Sequence, residues 1–320
     1  MSWVPVIDLG GRTAEVAAAM GEACRRVGFL TVTGHGVPQS VVDAAWDAGR
    51  AFFDLPLAHK MTVAMPSPGS PYGYSPIRGE TLARSLGQET PPDLKESLAI
   101  GPRGLVPGPA TAAEEWAFSP TLWPDDVLPA LRPTWEAYFT AMGDLAARLL
   151  RLAAVALGLE ATHFDPLIDR HASAMRALNY PALDGAARPG QLRAGAHTDY
   201  GTLTILAQQD RPGGLQVLRP DGSWADVPAV PGAFVINLGD AMARWTNDRW
   251  VSTMHRVVLP PADAGPAARR QSIAFFHNAN WDAVIECLPT CLDPGETPRY
   301  PPVAAGPHLM SKFQSTVVPY

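Results

Sequence analysis

Short apolar segments separated by turn residues fill the chain from residue 174 to residue 276, and this texture limits the possible folds more than any other feature. The segments are rich in Val, Ile, Leu and Phe, and they read AMRALNY, TLTILAQQ, GLQVLRP, AFVINLGD, WVSTMHRVVL and QSIAFF. Short runs of β-forming residues bounded by turn residues are typical of strands. Their number and spacing predict an antiparallel double-sheet barrel or sandwich.

The rest of the chain predicts helices around this β core. Hydrophobic periodicity predicts helices over residues 13–27 and 40–53, with a strand within residues 28–36 between them. The longest helical pattern covers residues 125–159, and its apolar stripe is typical of a helix that packs on a sheet. A final helix is expected over residues 307–316.

Residues 64–95 show no sustained periodicity and are rich in Pro and Gly. They predict a long surface loop, of the kind that often forms a lid or a substrate wall. Because no repeat or low-complexity linker divides the chain, we expect a single structural domain over residues 1–320. Its expected parts are a mixed α/β region (1–120), a long supporting helix (121–170), a β core (171–290) and a C-terminal segment (291–320).

Composition and charge exclude several classes of protein. With 320 residues, 47% hydrophobic and 18% charged, the chain can bury a large core and is not typical of disordered proteins. A net charge of −6 predicts neither a nucleic acid nor a membrane partner, and no apolar run is long enough to span a bilayer. Three cysteines and an N-terminus without a signal sequence predict a cytoplasmic protein. The oligomeric state stays open.

Two histidines and one aspartate form a candidate metal site. His197 and Asp199 lie two residues apart at the start of an expected strand, which would place both side chains on one face. His255 follows in a separate expected strand. A second His-x-Asp pair, His163 and Asp165, lies among residues typical of helix starts, and no strand-borne histidine follows it at a suitable distance. Two imidazoles and a carboxylate on one face of an iron leave positions open for oxygen chemistry.

Arg270 and Ser272 are also two residues apart, at the start of the last expected strand. An arginine can bind a carboxylate through two parallel hydrogen bonds, and a serine hydroxyl can add a third. The alternative is a surface arginine at a strand edge, since Arg269 lies beside it. The metal donor set also suits a zinc hydrolase, but the chain has no H-E-x-x-H helix. The arginine and serine favour iron with a dicarboxylate co-substrate.

These residues resemble the isopenicillin N synthase-like family of non-haem Fe(II), 2-oxoglutarate-dependent dioxygenases. The similarity covers nearly the whole chain, through VPVIDL, GFLTVTGHGVP, DLKESLAIG, AMRALNYP, GAHTDYGTLTIL, GGLQV, NLGD, MHRV and RQSIAFF. The resemblance implies a mainly β fold with flanking helices, whose core over residues 171–290 is a double-stranded β-helix, or jelly roll. It also implies that Fe(II) is bound by His197, Asp199 and His255, and the distal carboxylate of 2-oxoglutarate by Arg270, Ser272 and Tyr180.

The reaction that the resemblance implies consumes 2-oxoglutarate and O2 and releases succinate and CO2. A small-molecule substrate is hydroxylated, or alternatively desaturated or cyclised. Asp199 argues against a halogenase, in which that position is vacated for a halide. One departure is Leu178, where some relatives have an asparagine near the co-substrate. Two alternatives stay open: an iron oxidase of the isopenicillin N synthase type that does without 2-oxoglutarate, and a non-catalytic binding or regulatory module on the same fold.

Candidate substrate residues come from the loop and from the strand region. They are Tyr72, Tyr74, Arg78, Arg84, Trp245, Phe276 and His277. The loop arginines would suit a substrate that carries a carboxylate, and solvated surface charges are the alternative. We expect the substrate to be an amino acid, a peptide or a specialised metabolite.

Overall fold

A computed structural model of the protein describes residues 3–67, 69–83, 87, 90–102, 111–182 and 187–314. The helices are α1 (Thr13–Arg26), α2 (Gln39–Phe53), α3 (Leu57–Met61), α4 (Ala112–Ala117), α5 (Leu131–Ala156), α6 (Asp165–Ile168), α7 (Asp240–Trp245) and α8 (Ala305–Gln314). The strands are β1 (Val6–Asp8), β2 (Phe29–Thr33), β3 (Gly73–Ser75), β4 (Glu96–Ile100), β5 (Ala174–Tyr180), β6 (Ala194–His197), β7 (Leu203–Gln208), β8 (Leu215–Leu218), β9 (Trp224–Asp226), β10 (Phe234–Leu238), β11 (His255–Val257), β12 (Arg270–His277), β13 (Val284–Ile285) and β14 (Val303–Ala304).

The larger sheet, here called the main sheet, has the strand order β1-β2-β10-β7-β12-β5-β4-β3. β1 and β2 are parallel, and the other neighbours are antiparallel. The N-terminal strands β1 to β4 lie at the two edges of this sheet, outside the central strands β10, β7, β12 and β5. The mixed N-terminal region and the β core therefore share one sheet.

The main sheet separates two environments, because successive side chains of a strand point to opposite faces. On β12, Ile273 and Phe275 join the large hydrophobic core that also contains the buried stripe of α5, here called the helix-side core. Ser272, Ala274 and Phe276 face the opposite side, towards a cavity. The helical layer thus covers one face of the main sheet and leaves the other face for the functional site.

A smaller sheet with the order β6-β11-β8-β9 covers that second face. Two hydrophobic clusters join the sheets: Phe29 and Val235 of the main sheet pack with Val217 of the smaller sheet, and Ala274 packs with Val257. The prediction of an antiparallel double-sheet core with flanking helices is confirmed.

Helix α5 is shorter than the predicted helix over residues 125–159. It begins at Leu131. Pro129 disfavours helical geometry at the residue before it, Leu128, so the helix starts after this proline. It ends at Ala156, and Gly158 follows with φ of 72°. Glycine adopts this left-handed conformation readily and is a common residue just after a helix.

Two further predictions need correction. Residues 64–95 are not only a surface loop, because they contain β3, which pairs with β4 and is buried. The strand expected in residues 250–259 is reduced to β11, and Trp250 instead lies in the helix-side core. Among the described residues, no helix is long and apolar enough to cross a membrane.

Candidate metal centre and co-substrate pocket

The structure brings His197, Asp199 and His255 together from three places. His197 is the last residue of β6, His255 is the first residue of β11, and these two residues are paired across the strands. Asp199 lies in the connection between β6 and β7, so the expectation that His197 and Asp199 begin one strand is wrong. The chain turns after His197, and the amide of Asp240 donates a hydrogen bond to the carbonyl of Asp199 at 2.8 Å.

The three side chains form a compact group. One ligand atom from each lies within 4.8 Å of the others. Oδ1 of Asp199 lies 3.9 Å from Nε2 of His197 and 3.8 Å from Nε2 of His255. Among the described residues, no other group of three His, Cys, Asp or Glu side chains meets the same distance test.

The remaining polar atoms of these side chains are bonded to protein. Nδ1 of His197 donates to the carbonyl of Gly195 at 2.8 Å, and Nδ1 of His255 donates to the carbonyl of Thr253 at 3.2 Å. Oδ2 of Asp199 accepts hydrogen bonds from Thr204 at 2.5 Å and from Asn237 at 2.6 Å. Backbone and side-chain partners of this kind fix the orientation of metal ligands. Nε2 of each histidine lies within 3.9 Å of Oδ1 of Asp199, and this close set of donor atoms fits a divalent metal ion.

Burial and charge favour the metal-binding protonation states of His197 and Asp199. Burial and the neighbouring His255 lower the pKa of His197 to about 3, so its imidazole is neutral at pH 7. Burial alone would raise the pKa of Asp199, but His255 and His197 outweigh it and the pKa is lowered. A neutral imidazole and an ionised carboxylate are the forms that coordinate a metal.

The second His-x-Asp pair has a different environment. Asp165 begins α6 and accepts hydrogen bonds from Arg151 at 3.1 and 2.9 Å, and the ring of His163 lies against Phe164. The pair is thus part of a surface ion pair and an aromatic contact, as its place at a helix start indicated.

Arg270, Ser272 and Tyr180 meet on the cavity face of the main sheet. Arg270 pairs with Tyr180 across β12 and β5, and Oγ of Ser272 lies 3.5 Å from the Tyr180 hydroxyl. Nη2 of Arg270 donates to Gln208 at 2.9 Å. Nη1 of Arg270 is buried and has no hydrogen-bond partner among the described residues. A buried donor without a partner is costly, and a carboxylate group would satisfy it.

One cavity of about 210 Å³ connects these two groups of residues. The candidate metal ligands, Arg270, Ser272 and Tyr180 all line it. Much of the remaining wall is apolar and comes from both sheets, α8 and the N-terminal region; this part includes Tyr72, Leu82, Trp116, Leu178, Leu206, Phe276, Leu309 and Phe313.

Two cations that the sequence analysis did not single out also line the cavity. Arg176, on β5, donates through Nη1 to both carboxylate oxygens of Glu80 at 2.8 and 2.9 Å. Lys95 pairs with Asp93 at 3.2 Å and with Glu80 at 3.3 Å. Lys95 and Arg176 face the cavity, whereas their two carboxylate partners do not line it.

Arg176 and Lys95 stabilise the ionised form of Glu80. Burial would raise the pKa of Glu80, but Arg176 and Lys95 outweigh it and lower the pKa to about 2. Nε and Nη2 of Arg176 have no hydrogen-bond partner in the described part of the chain. Strand alternation could have found Arg176, because it is four residues before Tyr180 on β5 and therefore shares its face. The ion pairs themselves join distant segments and left no signal in the sequence.

The predicted substrate residues fall into four groups. Tyr72 and Phe276 line the cavity, and the Tyr72 hydroxyl donates to the carbonyl of Ala117 at 2.6 Å. Arg78 is exposed and has φ of 68°. Arg84 lies outside the described residues.

Tyr74, Trp245 and His277 do not line the cavity, and the prediction is corrected at these positions. Tyr74 is buried in the helix-side core and donates to Glu96 at 2.6 Å. Trp245 packs on Phe164 in the same core. His277 is fully buried on β12, next to Phe276. Adjacent strand residues point to opposite faces, so Phe276 and His277 could not both reach the cavity.

Two family models match the chain. A model described as the N-terminal part of non-haem dioxygenases in morphine synthesis matches residues 4–126. A model described as the 2OG-Fe(II) oxygenase superfamily matches residues 172–279, which include all the candidate metal and co-substrate residues.

Similar proteins agree with these models. The chain is 38% identical to a 2-oxoglutarate-Fe(II) type oxidoreductase, hxnY, of Emericella nidulans, over 93% of this chain and 86% of the relative. It is 34% identical to a proline hydroxylase, buaE, of Petromyces alliaceus, over 91% of this chain and 89% of the relative. The crystal structure of a Neurospora crassa protein in complex with alpha-KG (2-oxoglutarate) matches with a TM-score of 0.86 and 33% identity, over 98% of this chain and 96% of that one. The same Neurospora protein is also solved with alpha-KG and thymine.

The double-sheet core is therefore the jelly roll of these enzymes. The chain belongs to the 2-oxoglutarate–Fe(II) oxygenase superfamily and is a 2-oxoglutarate-dependent dioxygenase, an oxidoreductase that uses Fe(II), 2-oxoglutarate and O2 to oxidise a small molecule.

Proposed function

We propose that His197, Asp199 and His255 hold the iron of this dioxygenase. The observation that carries the proposal is that one ligand atom from each side chain lies within 4.8 Å of the others, while the other polar atoms of these groups are bonded to protein. This is the two-histidine, one-carboxylate arrangement that leaves open positions on Fe(II). The lowered pKa values of His197 and Asp199 suit this role, because a neutral imidazole and an ionised carboxylate bind metals.

Arg270, Ser272 and Tyr180 would bind the distal carboxylate of 2-oxoglutarate. The unpartnered Nη1 of Arg270 supports this role, because it offers a donor that the described residues leave unused. The hydroxyls of Ser272 and Tyr180 lie close enough together to contact the same carboxylate. With 2-oxoglutarate held at both ends, the apolar wall would exclude water from the reacting centre.

The iron and its co-substrate supply the oxidising chemistry, and the protein supplies binding, orientation and a dry cavity. Asn237 and Thr204 hold Asp199 with one oxygen turned away from the metal position. Phe29 packs edge-on against the ring of His255, with the ring centroids 5.3 Å apart. These contacts fix the ligands before any substrate arrives.

For the substrate, the cavity favours a small molecule with an apolar body and one carboxylate or similar acceptor group. Arg176 and Lys95 line a wall that is otherwise largely apolar, and Nε and Nη2 of Arg176 have no hydrogen-bond partner among the described residues. An arginine bound on one edge to Glu80 can still bind a planar acceptor on its free edge. The proline hydroxylase relative is named for a substrate of this kind, an amino acid. An amino acid, a short peptide or a carboxylated specialised metabolite would fit.

The iron assignment is tested by His255→Ala. This variant should lose succinate release and Fe(II) binding, because one of the three ligands is gone. His59→Ala, at an exposed position on α3, is the control and should behave as wild type. Retention of most activity by His255→Ala would mean that another residue completes the site. Turnover of wild type with O2 uptake but no need for 2-oxoglutarate would contradict the assigned reaction.

The co-substrate assignment is tested by Arg270→Ala. Its affinity for 2-oxoglutarate should fall by about 2–5 kcal/mol, because one partner of a buried charged pair is removed. Fe(II) binding should be retained. An unchanged dissociation constant for 2-oxoglutarate would exclude Arg270 as the anchor.

The substrate class is tested by a panel of small carboxylic acids and their matched amides, followed by succinate release. Acids should be preferred, and Arg176→Met should raise the KM for an accepted acid while changing the KM of its amide much less. Arg170→Met removes an exposed arginine that pairs with Asp282 and serves as control. Equal increases in KM for the acid and the amide would show that Arg176 does not bind the carboxylate.

A further inference from the structure

Arg193, which directly precedes β6, is a buried cation that the proposed site does not use. Its side chain is fully buried. Its guanidinium donates to the backbone carbonyls of Pro212 at 3.0 Å, Gly213 at 3.4 Å and Pro181 at 3.4 Å, and also to that of Ala268. Among the described residues, Nε of Arg193 has no hydrogen-bond partner and no carboxylate pairs with the side chain.

Two of these carbonyls belong to the segments that carry the proposed co-substrate anchors. Pro181 directly follows Tyr180 at the end of β5, and Ala268 lies two residues before Arg270 at the start of β12. One guanidinium thus links the ends of the two strands on which Tyr180 and Arg270 face each other. Loss of its hydrogen bonds would loosen the spacing between these anchors.

The ring of Tyr180 also lies close to two guanidinium groups. Cζ of Arg193 is 5.6 Å from the ring centroid and Cζ of Arg270 is 5.3 Å from it. Both distances are within the range of cation–π contacts. Burial and the neighbouring Arg270 lower the pKa of Arg193 to about 10, which still leaves the group charged at pH 7.

Neither arginine has an ion-pair partner among the described residues. Two buried positive charges without counter-charges are unfavourable in a protein interior, and an anion bound beside them would offset that cost. A 2-oxo acid with a second, distal carboxylate brings one negative charge more than a 2-oxo monoacid. The additional positive charge therefore favours the diacid over the monoacid.

We propose that Arg193 is a positioning residue of the co-substrate pocket, which acts through Tyr180 and Arg270 and whose charge makes the pocket select a 2-oxo diacid over a 2-oxo monoacid. This inference rests on the proposed function of Arg270 and Tyr180. Arg193 itself does not contact the co-substrate in this proposal. The selectivity comes from the long reach of a charge in a buried environment, where screening by water is weak.

The test compares two ligands of equal chain length, 2-oxoglutarate and 2-oxopentanoate, which lacks the distal carboxylate. Dissociation constants are measured anaerobically on Fe(II)-loaded enzyme from the absorption that accompanies chelation. Arg193→Gln should raise the dissociation constant of 2-oxoglutarate by about tenfold or more and that of 2-oxopentanoate by less than about twofold. Arg193→Lys keeps the charge but loses the planar fork, so it should retain most of the preference for the diacid.

Arg148→Gln is the matched control, because Arg148 also donates to backbone carbonyls, those of Leu9 and His35, but lies on α5 away from the cavity. It should leave both dissociation constants unchanged. If Arg193→Gln does not fold, Arg193→Lys alone decides: a retained preference supports the inference, and a lost preference overturns it. The inference is also overturned if Arg193→Gln weakens the binding of both acids equally or leaves the binding of both unchanged. Wild-type enzyme that fails to bind 2-oxoglutarate would instead refute the proposed function.

Discussion

At the residue scale, the two carboxylate oxygens of Asp199 have different partners. Oδ2 accepts two short hydrogen bonds, from Thr204 and Asn237, while Oδ1 faces the two imidazoles. The carboxylate is held rigidly on one side and left open on the other. We expect this division to matter for metal affinity. Removing the hydrogen-bond partner of a metal ligand typically lowers metal affinity or activity by about 10- to 100-fold.

Thr204→Val tests this division of roles. The substitution removes the hydroxyl that donates to Oδ2 and keeps the shape of the side chain, so Fe(II) affinity should fall by about tenfold. Calorimetric titration of the metal-free protein with Fe(II) under anaerobic conditions measures it. Thr62→Val, which removes an exposed hydroxyl bonded to the carbonyl of His59, is the control. An Fe(II) dissociation constant equal to that of wild type would show that the Thr204 hydroxyl does not support the ligand.

At the element scale, β12 serves two different environments through alternate residues. Ile273 and Phe275 lie in the helix-side core, while Ala274 and Phe276 line the cavity. On the neighbouring strand β5, Arg176 and Tyr180 face the same cavity as Ala274 and Phe276. The pleat of a strand alone produces this division, and neighbouring positions should therefore respond differently to substitution.

Substitutions at two consecutive positions of β12 test this prediction. Ala274→Leu places a larger side chain in the cavity and should raise the substrate KM by about tenfold. Because Ala274 also packs with Val257, the substitution should cost about 1–3 kcal/mol of stability. Ile273→Ala removes buried methyl groups and should cost about 2–5 kcal/mol of stability, with little change in KM. Urea unfolding and succinate-release kinetics on both variants measure the two quantities. Similar profiles for the two variants would contradict the assignment of faces.

At the scale of the whole molecule, we propose that the chain forms one domain. Strands β1 to β4 from the N-terminal region complete the edges of the main sheet, and α1, α2 and α5 contribute to one continuous core with its central strands. His171 and His277 lie where these layers meet. The ring of His171 stacks on Phe139 of α5, with centroids 6.1 Å apart, and lies 5.2 Å from the ring of His277.

This pair of histidines should make stability depend on pH. Burial lowers the pKa of both His171 and His277, so the folded protein resists protonating them, whereas the unfolded chain takes up protons below its ordinary histidine pKa. The free energy of unfolding should therefore fall as the pH drops below about 6.5, with a slope of at most about 1.4 kcal/mol per pH unit for each histidine.

Urea unfolding between pH 8 and pH 5 measures this dependence. His171→Phe keeps a ring against Phe139 and removes one titrating group, so it should have a shallower slope than wild type. Thr62→Val, an exposed substitution that removes no ionisable group, should not change the slope. Equal slopes for wild type and His171→Phe would rule out His171 as a source of acid sensitivity.

The amino-acid sequence specifies which chemical groups the protein has and much of how they are arranged along each strand. Strand alternation placed Arg270 with Ser272, and it would also have placed Arg176 with Tyr180 and separated Phe276 from His277. Which distant segments meet became visible only in the folded chain. Asp199 reaches the two histidines from a turn rather than from a strand, and Glu80 reaches Arg176 across 96 positions of the chain. The pleat fixes neighbours two residues apart through local geometry, whereas contacts between distant segments depend on how both sheets and the helical layer pack.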